Sequence, residues 1–174
     1  FALAYSAGPY LLSHHGLGDL AVVVFFGLIP VTFTCYLQTG TWECADMALP
    51  TSVAVGLLAA NVLIVNNYRD MEDDASVGKR TTVVIFGRRF MSLVYLLSGI
   101  SGMAVMIPVW SVLPLWSLLV PAVYLLLHYR TWMVLCQVQG AGLNPLLGRT
   151  AVNLLLFALM FLVACTCAPL PARM

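Results

Sequence analysis

Charge is what this sequence has least of: Asp, Glu, Lys and Arg make up 9% of its 174 residues. A water-soluble domain of this length carries about 25%, so most of the outside of this chain must face lipid or other apolar protein. The net charge of +1 leaves neither a basic face for nucleic acid nor an acidic tail. The five cysteines, Cys35, Cys44, Cys136, Cys165 and Cys167, follow no metal-ligand spacing. A thiol in an apolar stretch behaves as a small hydrophobe, and neither a metal site nor a disulfide is expected of them. No Met opens the chain and no basic segment precedes an apolar core at its start, so nothing reads as a signal peptide; Phe1 reads as a break inside a longer chain. No linker, repeat or low-complexity run interrupts residues 1–174, which are read as one domain.

What the chain has in quantity is apolar length, with 61% hydrophobic residues and a mean hydropathy of +0.96. A helix needs roughly 20 apolar residues to cross the hydrocarbon of a bilayer. Five stretches qualify: Leu20 to Leu37, Met47 to Val65, Phe90 to Val109, Leu113 to Leu127 and Ala151 to Ala168. Pro30 predicts a kink in the first. The expected fold class is therefore all-α, an integral membrane helical bundle of five transmembrane helices, with membrane lipid as its surroundings. Asn61 and Asn153, inside spans, are read as interhelical hydrogen-bonding groups.

The connections differ sharply in charge. Residues 38–46 and the Trp110 to Val112 turn contain no Lys or Arg, whereas residues 66–89 contain Arg69, Lys79, Arg80, Arg88 and Arg89, and residues 128–150 contain Arg130 and Arg149. Basic connections stay in the cytoplasm. The second and fourth connections are thus expected inside, with only Arg173 on the other side, and the C-terminus outside. Tyr36, Trp42, Trp110, Trp116, Tyr129 and Trp132 fall near span ends, where amphipathic rings anchor at the headgroups.

Chemistry concentrates in residues 66–81. On a helix, residues four apart share a face, so Asn66, Asp70 and Asp74 form one row, Asn67 lies beside it, and Arg69 is set to pair with Asp73. Two carboxylates at a helix end offer hard oxygen ligands to Mg²⁺, which takes one or two carboxylates and completes its shell with water and phosphate oxygens. Gly78 permits a sharp turn, after which Lys79 and Arg80 supply cations for phosphate. The spacing alone leaves a solvated cytoplasmic loop as an equal alternative.

The run N-N-x-R-D-x-x-x-D-x-x-x-G-K-x-T, carried by Asn66, Asn67, Arg69, Asp70, Asp74, Gly78, Lys79 and Thr81, resembles the second aspartate-rich motif of the UbiA superfamily of intramembrane prenyltransferases. Within it the chain looks most like the 1,4-dihydroxy-2-naphthoate polyprenyltransferases of menaquinone biosynthesis. Val83 to Arg88, Tyr5 to Tyr10 with Gly16 to Asp19, and Leu143 to Leu147 resemble further stretches of the same family, so the likeness spans nearly the whole chain. It implies the last five helices of a nine-helix fold in the cell inner membrane, with the Asp70/Asp74 connection cytoplasmic. The family's first aspartate-rich motif would lie before Phe1, among the missing N-terminal helices of the same chain, so this piece alone is expected to be inactive.

The implied reaction moves a polyprenyl group from its diphosphate to 1,4-dihydroxy-2-naphthoate, with loss of the ring carboxylate, giving demethylmenaquinone. The resemblance assigns Asp70 and Asp74 to Mg²⁺, and Lys79 to the departing diphosphate. Asn66, Asn67, Arg69 and Arg80 are candidates to orient the carboxylates or touch phosphate. Tyr5, Tyr10 and Tyr68 are candidates to face the cation or acceptor ring, with interfacial anchoring as the alternative. His14 and His15 are candidates for the acceptor carboxylate, or else a solvated pair. Two rivals remain, a family member with another aromatic acceptor such as 4-hydroxybenzoate and a membrane transporter subunit. The second lacks the mid-span charges that mark ion paths.

Overall fold

The computed structural model describes residues 16–42 and 45–168. Among them there is no strand, and five helices are long and apolar enough to cross a membrane: Gly18–Thr39, Asp46–Arg69, Thr82–Val112, Leu115–Leu135 and Gly140–Thr166. The chain is a multi-pass membrane protein. All five predicted spans are present, each longer than the apolar core that announced it.

Helix α1 runs over Gly18–Thr39, opening into a π turn at Val23–Leu28 before Pro30. Proline lacks an N–H and crowds the carbonyl four residues back; the wider turn accommodates both, and is the form the expected kink takes. Gly40, at φ +70°, ends α1 by donating to the Tyr36 carbonyl at 2.8 Å. Helix α2 is Ala45–Arg69, followed by the short α3, Met71–Ser76. Helix α4, Thr82–Val105, is capped by the Thr81 hydroxyl, which accepts from the Val84 N–H, and is kinked at Gly87 (φ +80°). The short α5, Ile107–Val112, prolongs it, then α6 covers Leu119–Leu135 and α7 covers Asn144–Thr166.

Helix α2 is the hub, packed against α1, α4 and α7, while α6 closes against α4 and α7. At the crossing of α1 and α2, Gly27 lies against the Ser52 carbonyl and the Gly56 backbone with no room for a Cβ, the close approach small residues permit inside a bilayer. One apolar cluster joins Leu58, Met106, Trp110, Tyr124 and Phe157; a second joins Ile64, Tyr68, Tyr95, Leu135 and Leu146 at the other end. Large side chains such as Leu37, Leu97 and Leu115 are left exposed, as lipid-facing residues should be.

Two polar pairs within the bundle join neighbouring helices. Ser98 donates to Asn61 at 2.6 Å, and Asn153 donates to Thr131 at 2.9 Å, the interhelical role expected of both asparagines. His128 was not anticipated. It stacks between Tyr95 and Tyr124, with ring centroids 4.6 and 5.5 Å away, and its Nε2 lies 2.9 Å from the Tyr95 carbonyl.

Three expectations are corrected. Trp110 is buried, its indole N–H donating to the Met103 carbonyl at 3.3 Å; helix continues through the expected turn because Pro108 sits at the first turn of α5, where its missing N–H costs nothing. Cys35 is disulfide-bonded, whereas Cys136, Cys165 and Cys167 are free. The lack of metal-ligand spacing says nothing about whether a thiol is oxidised to a disulfide. Helix α7 starts at Asn144 rather than near Ala151, because Arg149 carries a long stem that can run along an apolar helix to water.

Candidate functional site

One end of the bundle gathers the start of α1, the connection from α2 through α3 to α4, and the connection between α6 and α7. Three side-chain contacts tie them: Thr82 to Asp19, Arg69 to Asn144, and Arg88 to Gln139.

The aspartates lie at a bend in one helical path. Asp70 leaves helical geometry at φ −94°, ψ 11° and divides α2 from α3. The hydrogen-bond ladder nevertheless survives the bend, since the Asp70 N–H donates to the Asn66 carbonyl at 3.0 Å and the Asp74 N–H to the Asp70 carbonyl at 2.8 Å. Gly78, at φ +73°, then reverses the chain. The Lys79 N–H donates to the Asp74 carbonyl at 2.9 Å, and the Lys79 ammonium lies 3.0 Å from Asp74 Oδ1.

Arg69 is the organiser. Its Nε and Nη2 donate to the two oxygens of Asp70 at 2.6 and 2.7 Å, Nη2 also to Asn66 Oδ1 at 2.9 Å, and Nη1 to Asn144 Oδ1 at 3.0 Å. The expected pairing of Arg69 with Asp73 is therefore replaced by a fork on Asp70: where the helix bends, the adjacent carboxylate comes within reach and matches the planar guanidinium better. The Arg69 hydrogen bonds hold the Asp70 carboxyl below the usual carboxylate range, against a smaller opposing effect of burial, with the charges of Arg69 and Lys79 adding to the depression.

The two aspartates have unlike surroundings. Asp70 lines a polar cavity of about 440 Å³ with Arg69, Glu72, Asp73, Gly140, Ala141 and Asn144. Asp74 is not among its lining residues; it is only 8% exposed, and its Oδ2 is buried without a partner. Asn67 and Tyr68 are buried, Tyr68 beneath the Arg88 guanidinium at 5.7 Å, and Arg80 is exposed. Tyr5, Tyr10, His14 and His15 lie outside the described residues. Missed by sequence reasoning were Asn144, whose tie to Arg69 joins positions 75 residues apart, and Arg88, which bonds Glu72 at 2.9 Å.

Among the described residues no group of three or more His, Cys, Asp and Glu is placed to cage a metal ion. The orphaned buried oxygen of Asp74 does suit a cation that draws most of its shell from water and phosphate. Asp70 has lone pairs beyond those that Arg69 occupies. Beside this end lies an apolar groove of about 390 Å³, lined by Val22, Phe26, Ala59, Val62, Leu63, Asn66, Leu147 and Leu154; Asn66 is its one polar residue.

A membrane bundle with a bent, aspartate-bearing helix end of this sequence has a family: residues 1–141 match the UbiA prenyltransferase family, and the chain belongs to it. It is 35% identical over 164 residues to the 1,4-dihydroxy-2-naphthoate octaprenyltransferase of Haemophilus influenzae, covering 92% of this chain and 52% of that protein. It is 35% identical over 166 residues to the Escherichia coli enzyme of the same name, covering 93% and 53%. A 2-carboxy-1,4-naphthoquinone phytyltransferase of Synechocystis is 31% identical over 97 residues, covering 56% and 31%. The chain thus spans about half the length of the first two relatives. No solved structure matches it.

Proposed function

We propose that this chain forms the diphosphate-releasing half of a prenyltransferase that moves a polyprenyl group from its diphosphate to 1,4-dihydroxy-2-naphthoate, with loss of the ring carboxylate, giving demethylmenaquinone in its reduced, hydroquinone form. The observation that carries the reading is Asp74, a nearly buried carboxylate with one oxygen on Lys79 and the other vacant, inside a segment that matches naphthoate prenyltransferases across most of the chain.

The chemical difficulty is departure of diphosphate, which gathers negative charge on phosphate while the allylic carbon becomes cationic. Asp70 and Asp74 are the residues that would hold Mg²⁺, and the ion, when bound, neutralises charge on the leaving phosphates. Lys79 supplies a fixed cation beside Asp74, preorganised for that same charge. Arg69, bridging Asp70, Asn66 and Asn144, keeps the Asp70 carboxylate ionised and aimed at the polar cavity. The apolar groove beside Asn66 suits an isoprenoid tail and keeps water from the cation. Asn67 and Tyr68 are assigned to supporting the helix end, and Arg80 to phosphate.

The basic residues Arg69, Lys79, Arg80, Arg88 and Arg89 belong to the connection that carries the aspartates, which favours a cytoplasmic site in the cell inner membrane with the C-terminus on the opposite side. The disulfide-bonded Cys35 lies at the far end of α1, where an oxidising compartment is expected under this orientation.

In the full-length protein, Asp70→Ala and Asp74→Ala should each abolish Mg²⁺-dependent transfer of radiolabelled prenyl groups to 1,4-dihydroxy-2-naphthoate without impairing membrane insertion. Near-normal turnover by both variants would refute the reading, and labelling of 4-hydroxybenzoate alone would replace the acceptor.

A further inference from the structure

Asp74 shares its most unusual property with one other carboxylate. Asp19, the second residue of α1, accepts a 2.5 Å hydrogen bond on Oδ2 from the Thr82 hydroxyl, while its Oδ1 is buried with no partner. Of the described carboxylates, only Asp19 and Asp74 have a buried oxygen left empty, and Asp19 takes part in none of the ion pairs found among these residues. An acceptor shut away from water without a donor forfeits its hydration for nothing in return, and an ionisable group in a membrane helix marks a place where a ligand is to be sought.

Its surroundings connect it to the site. Thr82 follows Lys79 by three residues, and a Cβ at Gly16 would meet Ile85 Cδ1 at 2.9 Å and the Arg80 carbonyl at 3.7 Å. The start of α1 therefore lies directly on the Lys79–Thr82 segment, which is anchored to Asp74 through Lys79. One helical turn beyond Asp19, Val22 lines the apolar groove that ends at Asn66. A carboxylate oxygen in such a place requires an O–H or N–H donor, no group among the described residues supplies one, and the donor that aromatic prenylation brings is the hydroxyl of the acceptor ring.

We propose that Asp19 is a catalytic residue of the acceptor side of the site, its Oδ1 receiving the hydroxyl hydrogen of a hydroxylated aromatic acceptor. This rests on the prenyl-transfer reading above. In the step, the acceptor O–H bond breaks and its proton passes to Asp19. The freed electron pair enters the ring, the ring carbon bonds to the allylic carbon, and diphosphate leaves with the pair of the broken C–O bond. Loss of CO₂ from the same ring carbon returns an electron pair to the ring oxygen, and Asp19 gives the proton back.

The test uses the full-length protein in lipid nanodiscs with Asp19→Asn, which keeps an acceptor for the Thr82 hydroxyl but cannot take a proton, and with Thr82→Val, which keeps the carboxylate. For Asp19→Asn, kcat for transfer to 1,4-dihydroxy-2-naphthoate should fall by roughly 10²- to 10⁴-fold. Calorimetric binding of a prenyl thiodiphosphate should stay within about threefold of wild type, which also reports that the variant is folded. Without metal, affinity for the acceptor should fall roughly tenfold, while its di-O-methyl ether, which has no hydrogen to give, should bind both proteins equally. Thr82→Val, which loosens Asp19 but leaves its carboxylate in place, should lose at least about tenfold less turnover than Asp19→Asn. Turnover of Asp19→Asn within about threefold of wild type overturns the assignment, as does an equal loss in Thr82→Val, which would make Asp19 a mere prop for Thr82. If Asp70→Ala abolishes transfer while Asp19→Asn does not, only Asp19 loses its role; if neither aspartate of the motif matters, the prenyl-transfer reading falls and Asp19 with it.

Discussion

Removing the ammonium of Lys79 puts the most direct strain on the geometry of the aspartates. Lys79→Met keeps a stem of similar length but leaves the Asp74 carboxylate, only 8% exposed, with no side-chain partner on either oxygen. Breaking a fully buried pair from one side costs about 3–5 kcal/mol, whereas an exposed pair is worth about 0.2–1 kcal/mol. Side-chain exposures of 25% for Lys79 and 11% for Asp74 place this pair between the limits, at about 2 kcal/mol. For a protein of about 150–250 residues that is a fall in Tm of roughly 4–8 °C, and correspondingly less for the longer full-length protein. Asp74→Asn removes the charge that needs the partner, so Lys79→Met should cost about 1–2 kcal/mol less in the Asp74→Asn background than in wild type. The assay is thermal unfolding of the purified full-length protein in detergent, followed by intrinsic fluorescence, for wild type, both single variants and the double variant. Equal costs of Lys79→Met in the two backgrounds would refute the inference that the ammonium compensates a desolvated Asp74.

Three further outcomes are expected. Gly27→Leu should separate α1 from α2, because its side chain would enter the Ser52 carbonyl and Gly56 backbone; a loss of about 2 kcal/mol or more is expected in unfolding assays, and a Tm change under 1 °C would contradict the close crossing. Gly99→Ala should drive the added methyl into the His128 ring and cost about 1–3 kcal/mol, a cost that should largely vanish in a His128→Ala background. Arg69→Gln should raise the Asp70 carboxyl toward its ordinary 3.8, since hydrogen bonds from Arg69 are the main cause of its depression. With a folded-state value below the unfolded one, the Arg69–Asp70 pair contributes stability fully above pH 3.8 and loses it as the pH falls further; carbon NMR of the labelled carboxyl should report the upward shift, and an unchanged titration would contradict it.

The spans were legible because hydrocarbon thickness imposes a length that composition alone reveals. Their ends were less so, since Arg149 and the Leu127–Leu135 segment break an apolar run without breaking a helix. In the motif, four-residue periodicity correctly carried the backbone ladder from Asn66 through Asp70 to Asp74. It could not show the bend at Asp70, which turns Asp70 toward the polar cavity and gives it the partner expected for Asp73. Asn144, Arg88 and Asp19 act through partners that are 75, 51 and 63 positions away; no local pattern encodes such pairings. The Cys35 bridge escaped for another reason, because a thiol in an apolar run carries no mark of its oxidation state.

Because Gly27 and Gly56 bring two backbones together with no side chain between them, α1 and α2 cannot slide or hinge independently at that level. Both supply walls of the apolar groove, and its remaining wall, Leu147 and Leu154, comes from α7. Among the described helices, widening of this groove would then be a tilt of α7 against a fixed pair. Arg69, which grips Asn144 at the foot of that helix, would sense the tilt at the aspartates themselves.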